Sequence, residues 1–241
     1  MGEFIVQRPR SPPKKTELSF HQKCCYAIFL WGVDICLVAE AVILGQRLRT
    51  FSSKRLICYA TKEVTERGLG KLLHVWWEVK HFEHIEVSTN SAKGASLRLS
   101  KVWSKLQAWT LLEKEDIEVC VLIDTDTLPM QTLDHLFTCI QYAEMAGCFR
   151  GKNEWTLKAP RPAETYVGSS ATKKGGGING GVVVLKPSTE RYNEMMSAMK
   201  RYSPPNKTGG EQDFLSWFYG AKRGSIAGID LASNFKHTNC H

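Results

Sequence analysis

Apolar and polar positions alternate in blocks along the chain, and the blocks change period from about two to about 3.6 residues. Residues 26–30 (YAIFL) read as a strand, and Asp34 then caps an amphipathic helix running to about position 49. Residues 55–60 (RLICYA) form a second short apolar strand, followed by a helix over 64–75 and a short strand at 84–87. Positions 100–112 (SKVWSKLQAWTLL) place Trp103, Leu106 and Trp109 or Thr110 at helical spacing. The strand 118–123 runs into Asp124, and a helix over 133–143 follows the turn at Pro129. Beyond a polar loop at 150–174 come a strand at 180–185 (GGVVVL), a helix from Pro187 and Ser188 to about 201, and a helix over 211–219. This alternation predicts an α/β domain whose mostly parallel sheet is flanked by helices.

Such sheets bind ligands at the carboxyl ends of their strands, and that is where VLIDTDTLPM (121–130) puts Asp124 and Asp126. Carboxylates brought out of water need a compensating charge. In an extended chain, residues two apart face the same side, so the pair is able to share one hard cation such as Mn²⁺ or Mg²⁺, with Thr125 turned away. A turn cap and a solvated carboxylate are the plainer alternative. GGGINGG (175–181) formally contains GxGxxG, but a loop precedes it and a strand follows, so the dinucleotide reading is rejected. A glycine-rich approach to a strand, with Asn179 as a polar contact, remains. Lys105 is either a solvated helix lysine or a phosphate contact, and spacing does not separate it from Lys101 or Lys114. Glu211, Gln212 and Asp213 open a helix, where carboxylates are favoured in any case; the sharper reading is a set of groups gripping sugar hydroxyls.

Composition adds limits. With 241 residues the chain suits one large domain or two small ones. Its 32 basic and 24 acidic residues give a net charge of +8, part of it in a flexible basic tail over residues 1–22. No stripe of basic and aromatic residues supports nucleic-acid binding. The eight cysteines contain no CxxC pair, which points to buried thiols in a reducing compartment, the cytoplasm ahead of the Golgi. Asn206-Lys207-Thr208 is a formal glycosylation sequon that matters only in a lumenal protein. The apolar stretch 24–44 is interrupted by Gly32, Asp34 and Glu40, so no membrane span is expected there.

Taken in order, VWSKLQAW, VCVLIDTDTLPMQTLDHLF, INGGVVVLKPS and GGEQDFL resemble the glycogenin-like glycosyltransferases, the family-8 group that includes galactinol synthases and plant xylan glucuronosyltransferases. VAEAVILGQRLRTF and KRLICYATKEV extend the likeness upstream, to roughly residues 24–235. The resemblance implies a GT-A, Rossmann-like fold over 23–241, a UDP-sugar donor, Mn²⁺ (or Mg²⁺) and transfer with retention to a saccharide, polyol or protein acceptor. It implies metal and diphosphate binding by Asp124 and Asp126 around Thr125, and a phosphate contact by Lys105. It places Asn179, Gly180 and Gly181 beside the donor sugar and Glu211 and Gln212 in the sugar pocket. Leu30 and Trp31 fall where the first loop meets the uridine. The resemblance leaves room for an oligomer.

The chain departs from the family at several points. Glu211 stands where aspartate is usual, and Gly180 replaces serine or alanine. LWGVD lacks the Thr-Asn pattern, and position 37 is leucine rather than tyrosine. The late HFxGxxKPW segment is missing: FKHTNCH, with His237 and His241, does not match it. Two expectations follow, a fragment lacking its C-terminal motif or an incomplete site. A nucleotide-sugar-binding or scaffold protein without turnover is the alternative function.

Overall fold

The computed structural model describes residues 23–85, 101–141, 144–149, 178–202, 210–221, 226–228 and 235–237. The tail 1–22, the loop 150–174, the sequon and His241 lie outside them. The described elements form an α/β layered domain around one seven-stranded sheet, and the mostly parallel sheet predicted from the pattern is present. In chain order the strands are β1 (Cys24–Leu30), β2 (Arg55–Ala60), β3 (Glu78–His81), β4 (Val119–Ile123), β5 (Thr127–Pro129), β6 (Met145–Phe149), β7 (Ile178–Leu185), β8 (Ile226–Gly228) and β9 (Phe235–His237). The sheet order is β3-β2-β1-β4-β7-β6-β8, while β5 and β9 form a separate antiparallel pair. Strands β3, β2, β1 and β4 run parallel, and β7 runs against both β4 and β6.

Alternation along β1 sorts its residues between two cores. Cys24, Tyr26, Ile28 and Leu30 join the layer made with α1 (Ile35–Phe51) and α2 (Glu66–Leu73). Cys25, Ala27 and Phe29 join the layer made with the 3-10 helix Val102–Thr110 and the helices Thr189–Met199 and Glu211–Leu215. The first apolar block therefore divides into a strand, a loop and a helix capped by the Asp34 carboxylate on the Cys36 amide, as expected. Among the described residues no helix is long and apolar enough to cross a membrane. The described cysteines are free thiols.

Of the strand expected at 84–87, residues 84 and 85 are not in a strand and 86 and 87 lie outside the described residues; the third described strand lies at Glu78–His81. It is a polar edge strand, and its charges are satisfied sideways: Glu78 accepts from Arg55 at 2.7 Å and pairs with Lys80 at 3.0 Å, while Lys80 also meets Glu115. Such a strand carries no apolar alternation to read. Two segments expected as α-helices are 3-10 helices, Val102–Thr110 and Asp134–Gln141. The last helix is α over Glu211–Leu215 and passes into a π turn over Ser216–Ala221.

Helix α1 packs closely at Gly45 against the segment between α2 and β3, where an added Cβ would lie 2.8 Å from Trp76 Nε1. That indole is buried and donates to the Ala41 carbonyl at 3.0 Å, so it has no room to retreat. Gly45→Ala is expected to destabilise the domain by roughly 1–2 kcal/mol, overpacking outweighing the helix propensity gained. Urea denaturation measures this; an unchanged or higher midpoint would refute the steric account.

Candidate active site

The end of β4 is tied down on two sides. The Asp124 amide donates to the Gly181 carbonyl of β7 at 2.8 Å, and the Asp124 carbonyl accepts from the Thr127 amide at 3.1 Å. The second bond closes a turn over 124–127, so the aspartates sit on a turn rather than on an extended strand. Asp124 is half-buried and Asp126 exposed. The Thr125 hydroxyl does turn away from the site core: it donates to Glu40 on α1 at 3.1 Å.

Asp124 is met by Lys105, whose ammonium lies 2.5 Å from Oδ1. The same ammonium lies 3.3 Å from Glu211 Oε1. Lys105 is 9 % exposed and Glu211 7 %, so neither is a surface charge. Lys105 is carried there by the packing of its helix, whose Trp103, Leu106 and Trp109 side chains are buried in the second core. The structure thereby separates it from Lys101, which pairs with Glu63 at 2.9 Å, and from Lys114, which is exposed. Burial alone would lower the Lys105 pKa, but the two carboxylates outweigh it and hold the ammonium above the ordinary lysine range. Burial pushes the Glu211 carboxyl up; Lys105 pulls it down only in part, and the Asp124 charge adds to the rise. One ammonium serves two carboxylates, Asp124 and Glu211.

Because β7 is antiparallel to β4, its beginning reaches this edge of the sheet. Asn179 Oδ1 accepts from the Gly181 amide at 2.8 Å, and the Gly180 amide donates to Gln212 Oε1 at 3.0 Å. The Ile178 amide donates to Ser216 Oγ at 2.9 Å. Here the ladder with β6 skips from Val183 to Asn179, which detaches Gly180 and Gly181 from that neighbour. Lys105, Asp124, Asn179, Gly180, Gly181, Glu211 and Gln212 thus converge, and the two departures from the family pattern face each other: a Cβ on Gly180 would lie 3.2 Å from Glu211 Oε1.

The first loop lies at the end of β1. Leu30 belongs to the core at 2 % exposure, so its backbone alone faces the loop. Trp31 is half-buried with its ring edge-on to His84 at 6.4 Å, and Gly32 takes a φ of +88°, which favours glycine. Two further residues come to the site unannounced by the pattern. One is Glu40, through Thr125. The other is His237, whose backbone stands opposite Thr127 in the β5–β9 ladder, one residue beyond Asp126. The FKH stretch was visible in the sequence, but its partner strand of three residues was not. Among the described residues no three His, Cys, Asp or Glu side chains gather closely enough to hold a metal; the His237 side chain is outside those described.

No family model matches the chain. Among solved structures, a galactosyltransferase LgtC in complex with donor and acceptor sugar analogues aligns with a TM-score of 0.55 at 13 % identity, covering 84 % of this chain and 73 % of its own. The bifunctional glycosyltransferase WbbM aligns with a TM-score of 0.56 at 13 % identity, covering 86 % and 39 %. The fold is that of the GT-A glycosyltransferases. In sequence the chain is similar to an inositol phosphorylceramide glucuronosyltransferase of Arabidopsis thaliana, 25 % identical over 198 residues, and to glycogenin-1 of Homo sapiens, 26 % identical over 186. The glycogenin-like resemblance read from the motifs therefore stands in both sequence and fold. These alignments cover 82 % and 74 % of this chain but 30 % and 44 % of the relatives, so the chain spans less than half the length of either.

In the GT-A frame the ion cluster sits where a ligand of the sheet is expected. Lys105→Ala leaves two partly buried carboxylates without their cation and is expected to cost about 3–5 kcal/mol at neutral pH. The lysine's contribution is fully present below its unfolded pKa of about 10.4 and is lost only as pH climbs through the raised folded value. The deficit of the variant should therefore be full at pH 7 and shrink as the pH rises through the raised folded value. Denaturation of both proteins across this range measures it; a deficit independent of pH would remove the ion cluster as its cause.

Proposed function

We propose that the chain transfers a sugar, with retention, from a UDP-linked donor to a hydroxyl acceptor such as a saccharide, and that transfer depends on a divalent cation. The observation that carries this reading is the convergence of Lys105, Asp124 and Glu211 at the carboxyl edge of a GT-A sheet. Sequence relatives support the donor class: one is named a UDP-glucuronate:xylan alpha-glucuronosyltransferase of Arabidopsis thaliana, 26 % identical over 180 residues. The sugar analogues in the LgtC complex support a saccharide acceptor.

The residues present fit a hard cation. Lys105 meets Asp124 through Oδ1 and leaves Oδ2 as a second carboxylate oxygen, and Asp126 follows two residues on with an exposed side chain. Asp124 and Asp126 would hold Mn²⁺ or Mg²⁺. When bound, the ion supplies Lewis-acid stabilisation of charge on the departing diphosphate. Lys105 orients Asp124 and offers an ammonium to the donor phosphates. Gly180 and Gly181 let the donor sugar approach the backbone. Glu211 and Gln212 grip the sugar hydroxyls and fix the orientation of the anomeric carbon. Leu30 and Trp31 form the uridine end of the site, and Glu40 holds the aspartate turn through Thr125.

Calorimetric titration with UDP, with and without Mn²⁺, tests the donor site. Metal-dependent binding is expected in the native chain and should weaken by roughly 100-fold or more in Asp126→Asn. Turnover is then sought with a panel of UDP-sugars. UDP binding without turnover would establish a nucleotide-sugar-binding protein of the same fold, and no binding by folded protein would overturn the donor assignment.

A further inference from the structure

Strand β7 meets the buried carboxylate at a glycine, and the reason is space. Gly180 does not have the positive φ that Gly32 has, so its backbone makes no demand for glycine. A Cβ at position 180 would instead lie 3.2 Å from Glu211 Oε1, 3.2 Å from Gln212 Cβ and 3.5 Å from Gln212 Oε1. The first two are tighter than ordinary van der Waals contact, which begins near 3.4 Å. Neither neighbour is placed to yield. Glu211 is buried, and the oxygen that would be crowded is the one held by Lys105 at 3.3 Å. Gln212 is clamped to the same strand residue, its Oε1 accepting from the Gly180 amide at 3.0 Å.

We propose that Gly180 is a positioning residue: its missing side chain is the space that seats the Glu211 carboxylate against Lys105, so that positions 180 and 211 trade volume as a matched pair. This rests on the proposed donor site for its consequence in transfer, but not for the pairing itself. A methyl group at 180 pushes Oε1 away from the ammonium and spoils the geometry of the carboxylate that faces the sugar. A carboxylate one methylene shorter at 211 vacates that space. Glycine with glutamate and alanine with aspartate are then two self-consistent combinations, while alanine with glutamate is a misfit.

The test is a double-mutant cycle of Gly180→Ala, Glu211→Asp and the double variant, read in two ways. The denaturation midpoint should fall in each single variant, and the double variant should lie above the value that additivity gives. In transfer from a UDP-sugar, Gly180→Ala should lower kcat by roughly 10- to 100-fold, as expected for a small misplacement of a reacting group. Adding Glu211→Asp to it should restore about tenfold of that loss, a rescue that mere damage to the strand would not give. Additive midpoints together with additive rates overturn the proposal. A native chain without turnover removes the transfer reading and leaves the midpoints to decide the pairing. Should Gly180→Ala fail to fold, folding of the double variant supports the proposal; failure of both beside a folded Glu211→Asp overturns it.

Discussion

The Lys105 ammonium, held between Asp124 and Glu211, is the interaction on which the site depends. It joins three elements: the end of β4, the 3-10 helix before it and, far along the chain, the helix opening at Glu211. Charges with so little exposure are costly to bring together, and their mutual attraction compensates only with close geometry. That geometry comes from the apolar layer beneath. Trp103 packs edge-on against Phe214 at 5.6 Å, and the Trp109 indole donates to the Tyr219 hydroxyl at 2.7 Å. The same contacts that bury the helices against the sheet bring the lysine to the two carboxylates. Hydrophobic packing sets the distance, and electrostatics then selects which polar groups are tolerated there.

The reversal of β7 matters as much as the ion cluster. A parallel strand beside β4 would bring its last residues to this edge, and Asn179, Gly180 and Gly181 would lie at the far end of the sheet. Running antiparallel, β7 offers its first residues, and the backbone bond from Asp124 to Gly181 locks them to the aspartate turn. The break in the ladder with β6 then leaves the Gly180 amide to the Gln212 side chain. The glycine segment, the turn and the helix start are thus joined as one unit.

Much of the frame was legible from pattern. β1, α1, β2, β4 and β7 carry apolar residues in runs or periods long enough to read, and each lies within a few residues of its expected place. β3 went unread because ion pairs, rather than apolar alternation, hold it. β5 and β9 are three residues each, too short for any period, and each makes sense only beside the other. Glu40 shows the same difficulty: its helix was foreseen, but nothing local marks the bond to Thr125 across the layer.

The sequence by itself determined the layered α/β class, the sheet edge that bears Asp124 and Asp126, and the set of motifs resembling glycogenin-like transferases. These are matters of local period and of ordered short segments. Tertiary structure alone decided which of three lysines meets the aspartate, that the Glu211 carboxylate is drawn inward rather than merely capping its helix, and that Gly180 lies against it. The reason is physical: charge compensation and exclusion of volume act through space over a few ångströms, and residues 106 positions apart in the chain leave no local trace of such contact.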